Sequence, residues 1–485
     1  MKPGRHRRSR APLNAAAPAL ALLALIPGTV AAGQWDITPR FYGGETYSDN
    51  IGLDAVNPRS DFVTELTPGI SVRGGGARLS LDLDYNLQNL IYADNDADNS
   101  LHHQLQANAT ANVLKDILFL DLQSRVSQEL VDPAGRVSDS NLSVTGNRVN
   151  ATSWVLSPYA RHRFGGYADA EVRFSTNSLD IDRAQSGSST SDHYSFKVQS
   201  GREFVRVPWQ VLVDSTSVER SNGSSNKFES VNLDVSWVFN RKYRLNATLG
   251  QESNSFQSRR GSVDGTYWRL GATWTPSPRT EISGSIGDRF FGTTYALNVR
   301  HVHRRWTFTA DYQESPQTTN QLFNSRQLVP FADPFTGQPF FDADLSSRIP
   351  LSTDTVELTD EVILNKRMNA AVAYNGRRNR VHVRGYNSDR TFEARGGQET
   401  ARGFAVNWSH DFSTRLKGGL TGAWQTVDTQ NGITNDRITL RPYLTYHLSR
   451  RVNTTVEYLY HDNSSDDARS SYTENQFSAF VRAHF

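Results

Sequence analysis

From Gln34 to the last residue the chain repeats one pattern, segments of roughly 10 to 14 residues in which apolar and polar side chains alternate. Leu79, Leu81, Leu83, Tyr85 and Leu87 interleave with Ser80, Asp82, Asp84, Asn86 and Gln88. Val231, Leu233, Val235, Trp237 and Phe239 alternate in the same way, as do Val452, Thr454, Val456, Tyr458 and Tyr460. A pleated strand sends the two sets to opposite faces. With almost no helical periodicity beside it, this pattern demands a large, mostly antiparallel sheet.

Composition narrows the sheet further. A hydrophobic fraction of 37% and a mean hydropathy of −0.56 exclude a helical membrane protein, yet they suit a barrel in which only alternate residues meet lipid. The chain has no cysteine, so backbone pairing or a core must supply the stability that disulfides would give an exported protein.

The connections separate a barrel from a sandwich. Short turns fall near Gly74, Lys115, Gly165, Gly201, Arg241, Pro276, Arg304, Arg377, Ser413 and Ser449, and several carry arginine. Between them lie longer polar stretches, 46–61, 93–99, 129–150, 178–190, 219–225, 315–358 and 464–471. Tight turns at one end and long loops at the other are the signature of outer-membrane barrels. The expected fold is a closed antiparallel transmembrane β-barrel of about 22 strands (range about 16–22), with short periplasmic turns, long extracellular loops and no plug domain.

Residues 1–32 read as a cleavable secretory signal. Lys2, Arg5, Arg7, Arg8 and Arg10 precede an apolar stretch broken by Pro18 and Pro27, which ends at the small residues Ala31, Ala32 and Gly33. Cleavage after Ala32 leaves 33–485 as a single barrel domain. It also leaves 47 Lys plus Arg against 50 Asp plus Glu, a charge near −3 that gives no nucleic-acid footprint.

The last strand sets Phe477, Ala479, Val481, Ala483 and Phe485 on one face. Phe477, Val481 and the terminal Phe485 resemble the carboxy-terminal signal by which bacterial outer-membrane proteins are recognised for barrel assembly. Tyr92, Trp237, Tyr243, Trp274, Trp306, Tyr312 and Tyr374 lie near strand ends, where interfacial girdles are expected. Two features strain the scheme. Pro39, Pro68, Pro158 and Pro442 fall inside strand-like segments, which predicts bulges or strand ends near the periplasmic rim. Lys366 would face lipid unless a bulge near Asn365 turns it.

No catalytic signature is present: there is no Gly-x-Ser-x-Gly, no His-Glu-x-x-His and no phosphate-binding glycine loop, so no enzymatic activity, cofactor or catalytic residue is expected. His301 with His303 has no Asp, Glu or Cys partner at ligand spacing, and the adjacent His102 and His103 would project from opposite strand faces, so both pairs read as ordinary surface histidines. Asp94, Asp96 and Asp98 alternate as in a calcium loop, but Asn99 and Leu105 stand where that motif needs glycine and glutamate, so no metal site is expected.

Function in a barrel lies on the inward face. Alternation assigns Asp82, Asp84, Arg206, Asp234, Arg244, Arg269, Arg300, Arg384, Arg441, Glu457 and Arg482 to the lumen, together with Asp121, Arg125, Glu281 and Asp311. A lining of both signs suits a wet pore for polar, saccharide cargo better than selection of one ion.

The stretches Ile37 to Asp54 (ITPRFYGGETYSDNIGLD) and Asn89 to Pro133, with QNLIYADNDADNS and LFLDLQSRVSQELVDP, resemble the outer-membrane proteins of the exosortase and PEP-CTERM system, within the β-barrel porins of exopolysaccharide loci. That resemblance implies a barrel in the outer membrane of a Gram-negative bacterium, linked to exopolysaccharide production or export. Its implied partners are outer-membrane lipid and lipopolysaccharide, the barrel-assembly machinery, and exopolysaccharide with its export machinery. A general diffusion or substrate porin is the nearest rival. A receptor or adhesion scaffold acting through loops 129–150 and 315–358 is the other. The five phenylalanines Phe323, Phe331, Phe335, Phe340 and Phe341 in 315–358 predict an ordered loop that folds inward or across the mouth as a constriction or lid, the alternative being that it packs on neighbouring external loops or on a partner.

Overall fold

The computed structural model describes residues 33–132, 135–138, 140–182, 188–325, 359 and 361–485. The expected signal segment 1–32 and the part of the longest loop at 326–358, with most of its phenylalanines, lie outside the described residues.

The first strands are β1 Gln34–Ser48, β2 Asp61–Gly75, β3 Leu79–Tyr92, β4 Ser100–Leu114, β5 Leu118–Leu130 and β6 Arg148–Phe164. Next come β7 Ala168–Ile181, β8 Ser189–Ser200, β9 Trp209–Arg220, β10 Ser225–Val238, β11 Tyr243–Ser255, β12 Gly265–Ser277 and β13 Thr280–Arg289. Then β14 Gly292–His303 and β15 Trp306–Gln317 lead into a seven-residue helix, α1 Thr319–Ser325. The chain finishes with β16 Ile363–Asn375, β17 Asn379–Phe392, β18 Gln398–Asp411, β19 Leu416–Asp428, β20 Thr434–His447, β21 Val452–Ser465 and β22 Tyr472–His484.

These strands form one 22-stranded sheet in which each strand pairs antiparallel with its sequence neighbours. β1 also pairs β22, from Arg40 opposite His484 to Ser48 opposite Gln476, and the amide of Phe485 adds a bond of 3.0 Å to the carbonyl of Pro39. Closure leaves no free edge along that seam, the only arrangement in which a sheet can satisfy its backbone in lipid. Among the described residues no helix is long and apolar enough to cross a membrane, and there is no plug.

One end of the barrel carries only compact connections, from 278–279 to 201–208. Asp116 and Arg304 take positive φ there (60° and 54°), as does Gly165 (61°), because two- and three-residue hairpins need the left-handed region. The other end carries the longer loops, 49–60, 131–147 and 318–362 among them, but it also holds the tight 290–291 turn. The ten-residue β13 beside that turn spans about 25 Å when tilted, just the height of a barrel's apolar band. Along the outer face Ile37, Leu249, Leu270, Val456 and Phe477 stand more than half exposed, as lipid-facing residues must in the absence of lipid. Trp306 against Tyr374, 4.7 Å between ring centroids, and Trp237 against Phe239, 4.8 Å, form part of an aromatic belt at the short-turn end.

The prolines sit differently from the expectation. Pro68, Pro158 and Pro442 lie well within β2, β6 and β20, and the pairing register is the same on both sides of each, so none makes a bulge. Each missing amide interrupts only one of its strand's two ladders: Pro68 stays opposite Phe41, Pro158 opposite Leu120 and Pro442 opposite Leu420. Inward side chains bridge at least one gap, where Ser157 Oγ and Ser175 Oγ meet at 2.6 Å and Arg173 donates to Ser157 at 2.9 Å. Pro39 marks the last rung of the β1 and β22 seam. A real register shift occurs between Trp274 and Ser277, at Pro276, and another between Asn112 and Leu114.

Lys366 needs no bulge either. β16 pairs without a break, so Lys366 stays in the outward phase with Met368, and its ammonium lies 3.9 Å from the buried Glu314 carboxylate on the adjacent strand. The neighbouring charge offsets the cost that alternation alone assigns to it. Tyr92 is the other departure: it faces inward and is 2% exposed, so it belongs to no girdle.

Candidate functional site

Parity fixes the inner face. Where large apolar side chains are exposed outside, as at Val231, Leu233 and Trp237 on β10 or Ile438, Leu440 and Leu444 on β20, the intervening residues point in. The cross-strand registers carry that parity round the barrel. They set Asp82 and Asp84 (β3), Asp121 and Arg125 (β5), Asp234 (β10), Arg244 (β11), Arg269 (β12) and Glu281 (β13) inward. Arg300 (β14), Asp311 (β15), Arg384 (β17), Arg441 (β20), Glu457 (β21) and Arg482 (β22) share that face. Arg206 precedes β9 in the 201–208 connection and is exposed; its carbonyl accepts from the Val238 amide at 2.9 Å, which continues the β9 and β10 register beyond the strand.

The inner wall has three characters. On β1 to β7 opposite charges compensate each other: Arg40 lies 2.7 Å from Asp84, Arg73 reaches Asp82 and Asp84 at 3.4 Å, and Arg161 bonds Glu171 at 2.7 Å. Arg173 pairs with Asp121 at 3.0 Å and Glu171 at 3.1 Å while its guanidinium covers the Tyr159 ring at 3.8 Å. On β17 to β22 most of the inward polar groups are buried. Arg390 and Glu399 meet at 2.5 Å, Thr421 donates to Asn407 at 2.8 Å, and Arg441, Glu457 and Arg482 are all at most 9% exposed. On β11 to β14 the wall is open, with Arg244, Arg269, Glu281, Asn298 and Arg300 exposed.

The mouth at the long-loop end is narrowed by the chain itself. Leu90 and Tyr92 break the polar rule of the inner face, and together with Val63 they form an apolar patch completed by Ile51 and Leu142 from two loops. The 131–147 loop therefore folds inward. Tyr92 donates to the carbonyl of Leu142 at 2.7 Å, Tyr472 to that of Val137 at 2.5 Å, and Asn141 reaches Gln88 on the inner wall at 2.7 Å. Its Val144 amide bonds the carbonyl of Ile51 at 2.8 Å, and Arg136 pairs with Asp54, locking it to the 49–60 loop. From the other side α1 turns in: Leu322 packs on Ile363 and Phe392, and Asn320 crosses to Ser189 of β8 at 2.8 Å. A third link joins the 256–264 loop to the tip after β17, where Arg260 and Ser258 hold Glu393 at 3.1 and 2.6 Å.

The inward anchoring of 131–147 was missed by sequence reasoning, which treated 129–150 only as an external surface. Its signal was present in Leu90 and Tyr92, apolar residues in the lumen phase that need a cover. The expected lid at 315–358 is described only as far as Ser325. The histidines hold no common centre: His102 and His103 point to opposite faces, with His103 2.8 Å from the Tyr85 hydroxyl, and His301 bonds Thr280 at 2.8 Å. In the 93–99 loop Asp98 is taken by Arg59 at 2.7 Å.

An apolar outside, a polar inside and full closure define the transmembrane class of β-barrel. Residues 388–485, which reach from within β17 to the end of β22, match the family described as "Putative beta-barrel porin 2". No curated protein matches the chain in sequence. Solved structures similar in shape include the siderophore receptor PirA from Acinetobacter baumannii, with 8% identity, a TM-score of 0.50, and 94% of this chain and 81% of that chain covered. PirA from Pseudomonas aeruginosa aligns at 9% identity and a TM-score of 0.41, covering 93% and 80%. OccK2 of Pseudomonas aeruginosa aligns at 8% identity and a TM-score of 0.37, covering 93% and 98%. At 8% identity the likeness to the Acinetobacter baumannii receptor is one of fold.

Proposed function

We propose that this chain is an outer-membrane pore for polar, saccharide cargo, working beside the machinery of exopolysaccharide export. The observation that carries the reading is the open, polar wall on β11 to β14, in a barrel whose mouth the chain narrows with its own 131–147 loop. A wet lumen restricted by an inward loop is what selective passage needs. The same inward fold leaves that loop little surface for an external partner, which favours the pore over an adhesion scaffold. The link to exopolysaccharide rests on the resemblance carried by residues 37–54 and 89–133.

Conductance tests it. Purified barrel in planar bilayers should give discrete, ohmic openings. Replacing 132–146 by a short glycine and serine link should raise the unit conductance roughly twofold or more while the protein stays folded, because the restriction is gone. The ends of the loop are already joined by the Val131 amide and the Asn147 carbonyl at 3.1 Å, so the deletion closes without strain. Absence of openings in both proteins would overturn the pore reading; equal openings would exclude 131–147 as the restriction.

A further inference from the structure

Most inward charges of this barrel have a partner within reach, but two guanidiniums on neighbouring strands do not. Arg244 on β11 and Arg269 on β12 are exposed, and among the described residues neither makes an ion pair or a side-chain hydrogen bond. Arg269 stands opposite Thr248, four residues along β11 from Arg244, so the two Cα levels are separated by roughly 13 Å. Further toward the mouth, Arg289 on β13 continues the line, held at 2.5 Å by Glu252.

The wall between the two arginines is built from small and polar residues. Asn246 faces Gly271, Arg244 faces Thr273, and Gly271 faces Ser285, all on the inner side. Arg269 itself stands opposite Gly287, where a Cβ would come within 2.2 Å of a backbone oxygen of β12. The guanidiniums therefore rise from a shallow trough whose floor offers hydroxyl and amide groups. Two nearby acids make no ion pair with them among the described residues. Asp234 is held by Thr248 at 2.6 Å and Asn232 at 3.1 Å, and Glu281 stands opposite Arg300 on β14.

Exposed arginines lacking a carboxylate are receptors for an oxyanion, which they bind in a planar, bidentate fork. Hydroxyls and amides beside them match the hydroxyls of a sugar ring. We infer that Arg244 and Arg269 form an internal binding site for a carboxylate-bearing saccharide, a uronic-acid chain whose charges step from one guanidinium to the next along β11 and β12. This deepens the pore reading and rests on it for the cargo's path, but the site exists in the folded barrel whether or not current flows.

The test uses the full-length barrel, with oligogalacturonate as the acidic probe and maltooligosaccharide of equal length as the neutral one. In planar bilayers oligogalacturonate should interrupt the current at least tenfold more strongly than the neutral chain. Arg269→Gln and Arg244→Gln should each remove most of that preference, and the neutral probe should be unaffected. Arg161→Gln, on the charge-compensated wall, should leave the preference intact. Calorimetric titration of the same proteins in detergent reads the site without current, so a closed channel that still binds oligogalacturonate would sink the pore reading and keep the site. Equal binding of acidic and neutral chains, or undiminished acidic preference in the double variant Arg244→Gln with Arg269→Gln, would overturn the assignment.

Discussion

Truncation of the chain after Asn475 will leave no folded barrel: the protein will migrate identically whether or not the sample is boiled, and it will accumulate outside the outer-membrane fraction. The lost residues include all of the pairing between β22 and β1 from Gln476 to His484, and most of that between β22 and β21. Two open edges result, and in hydrocarbon each unsatisfied backbone group costs several kcal/mol, so the loss far exceeds the stability of an ordinary domain. Deleting Phe485 alone removes one outward ring and the single bond to Pro39, so it should lower the yield of assembled barrel without abolishing it. A heat-modifiable barrel in the truncated strain would mean that closure does not depend on β22.

Leu297→Arg will reduce folding far more than Asn298→Arg, although the residues are adjacent on β14. Leu297 is 42% exposed on the outer face, and an arginine near the middle of a lipid-facing strand costs about 2 to 4 kcal/mol. Asn298 points into the open lumen opposite Asp311, where a guanidinium finds both water and a counter-charge. Leu249→Arg should behave like Leu297→Arg. Urea titration in lipid vesicles gives the comparison, and equal losses at 297 and 298 would reverse the inside and outside assignment. The inward partner in such a pair has to be an open one. Glu457 is also inward but is 7% exposed, so a larger cation there would disturb packing as well as charge.

Much of the barrel was legible because a two-residue period is a physical statement about two solvents. Leu81 and Asp82, or Val456 and Glu457, declare their faces without reference to any distant contact, and the strand count follows from the turns between them. What stayed hidden depends on neighbours several strands away. Pro68 and Pro442 could be placed only once both flanking ladders were seen, since a strand in a closed sheet can lose one partner's bond and keep the other's. Lys366 was awkward only until Glu314 was set beside it, and Arg244 and Arg269 are distinguished from Arg73 and Arg173 by their lack of a cross-strand acid, which alternation does not report. Loop trajectories were the least readable, because 131–147 is directed by Gln88 and Tyr92 on β3 and by Tyr472 on β22, two strands far apart in the chain.

The anchors of the 131–147 loop also set an order of events. One of them, Tyr472, belongs to the last strand to be synthesised, and others lie in the 49–60 loop that follows the first strand. These two regions become neighbours only when β22 meets β1. Sealing the seam therefore adds the Tyr472 anchor to those that Gln88, Tyr92 and the 49–60 loop already supply, and a barrel caught before that point holds its throat less firmly.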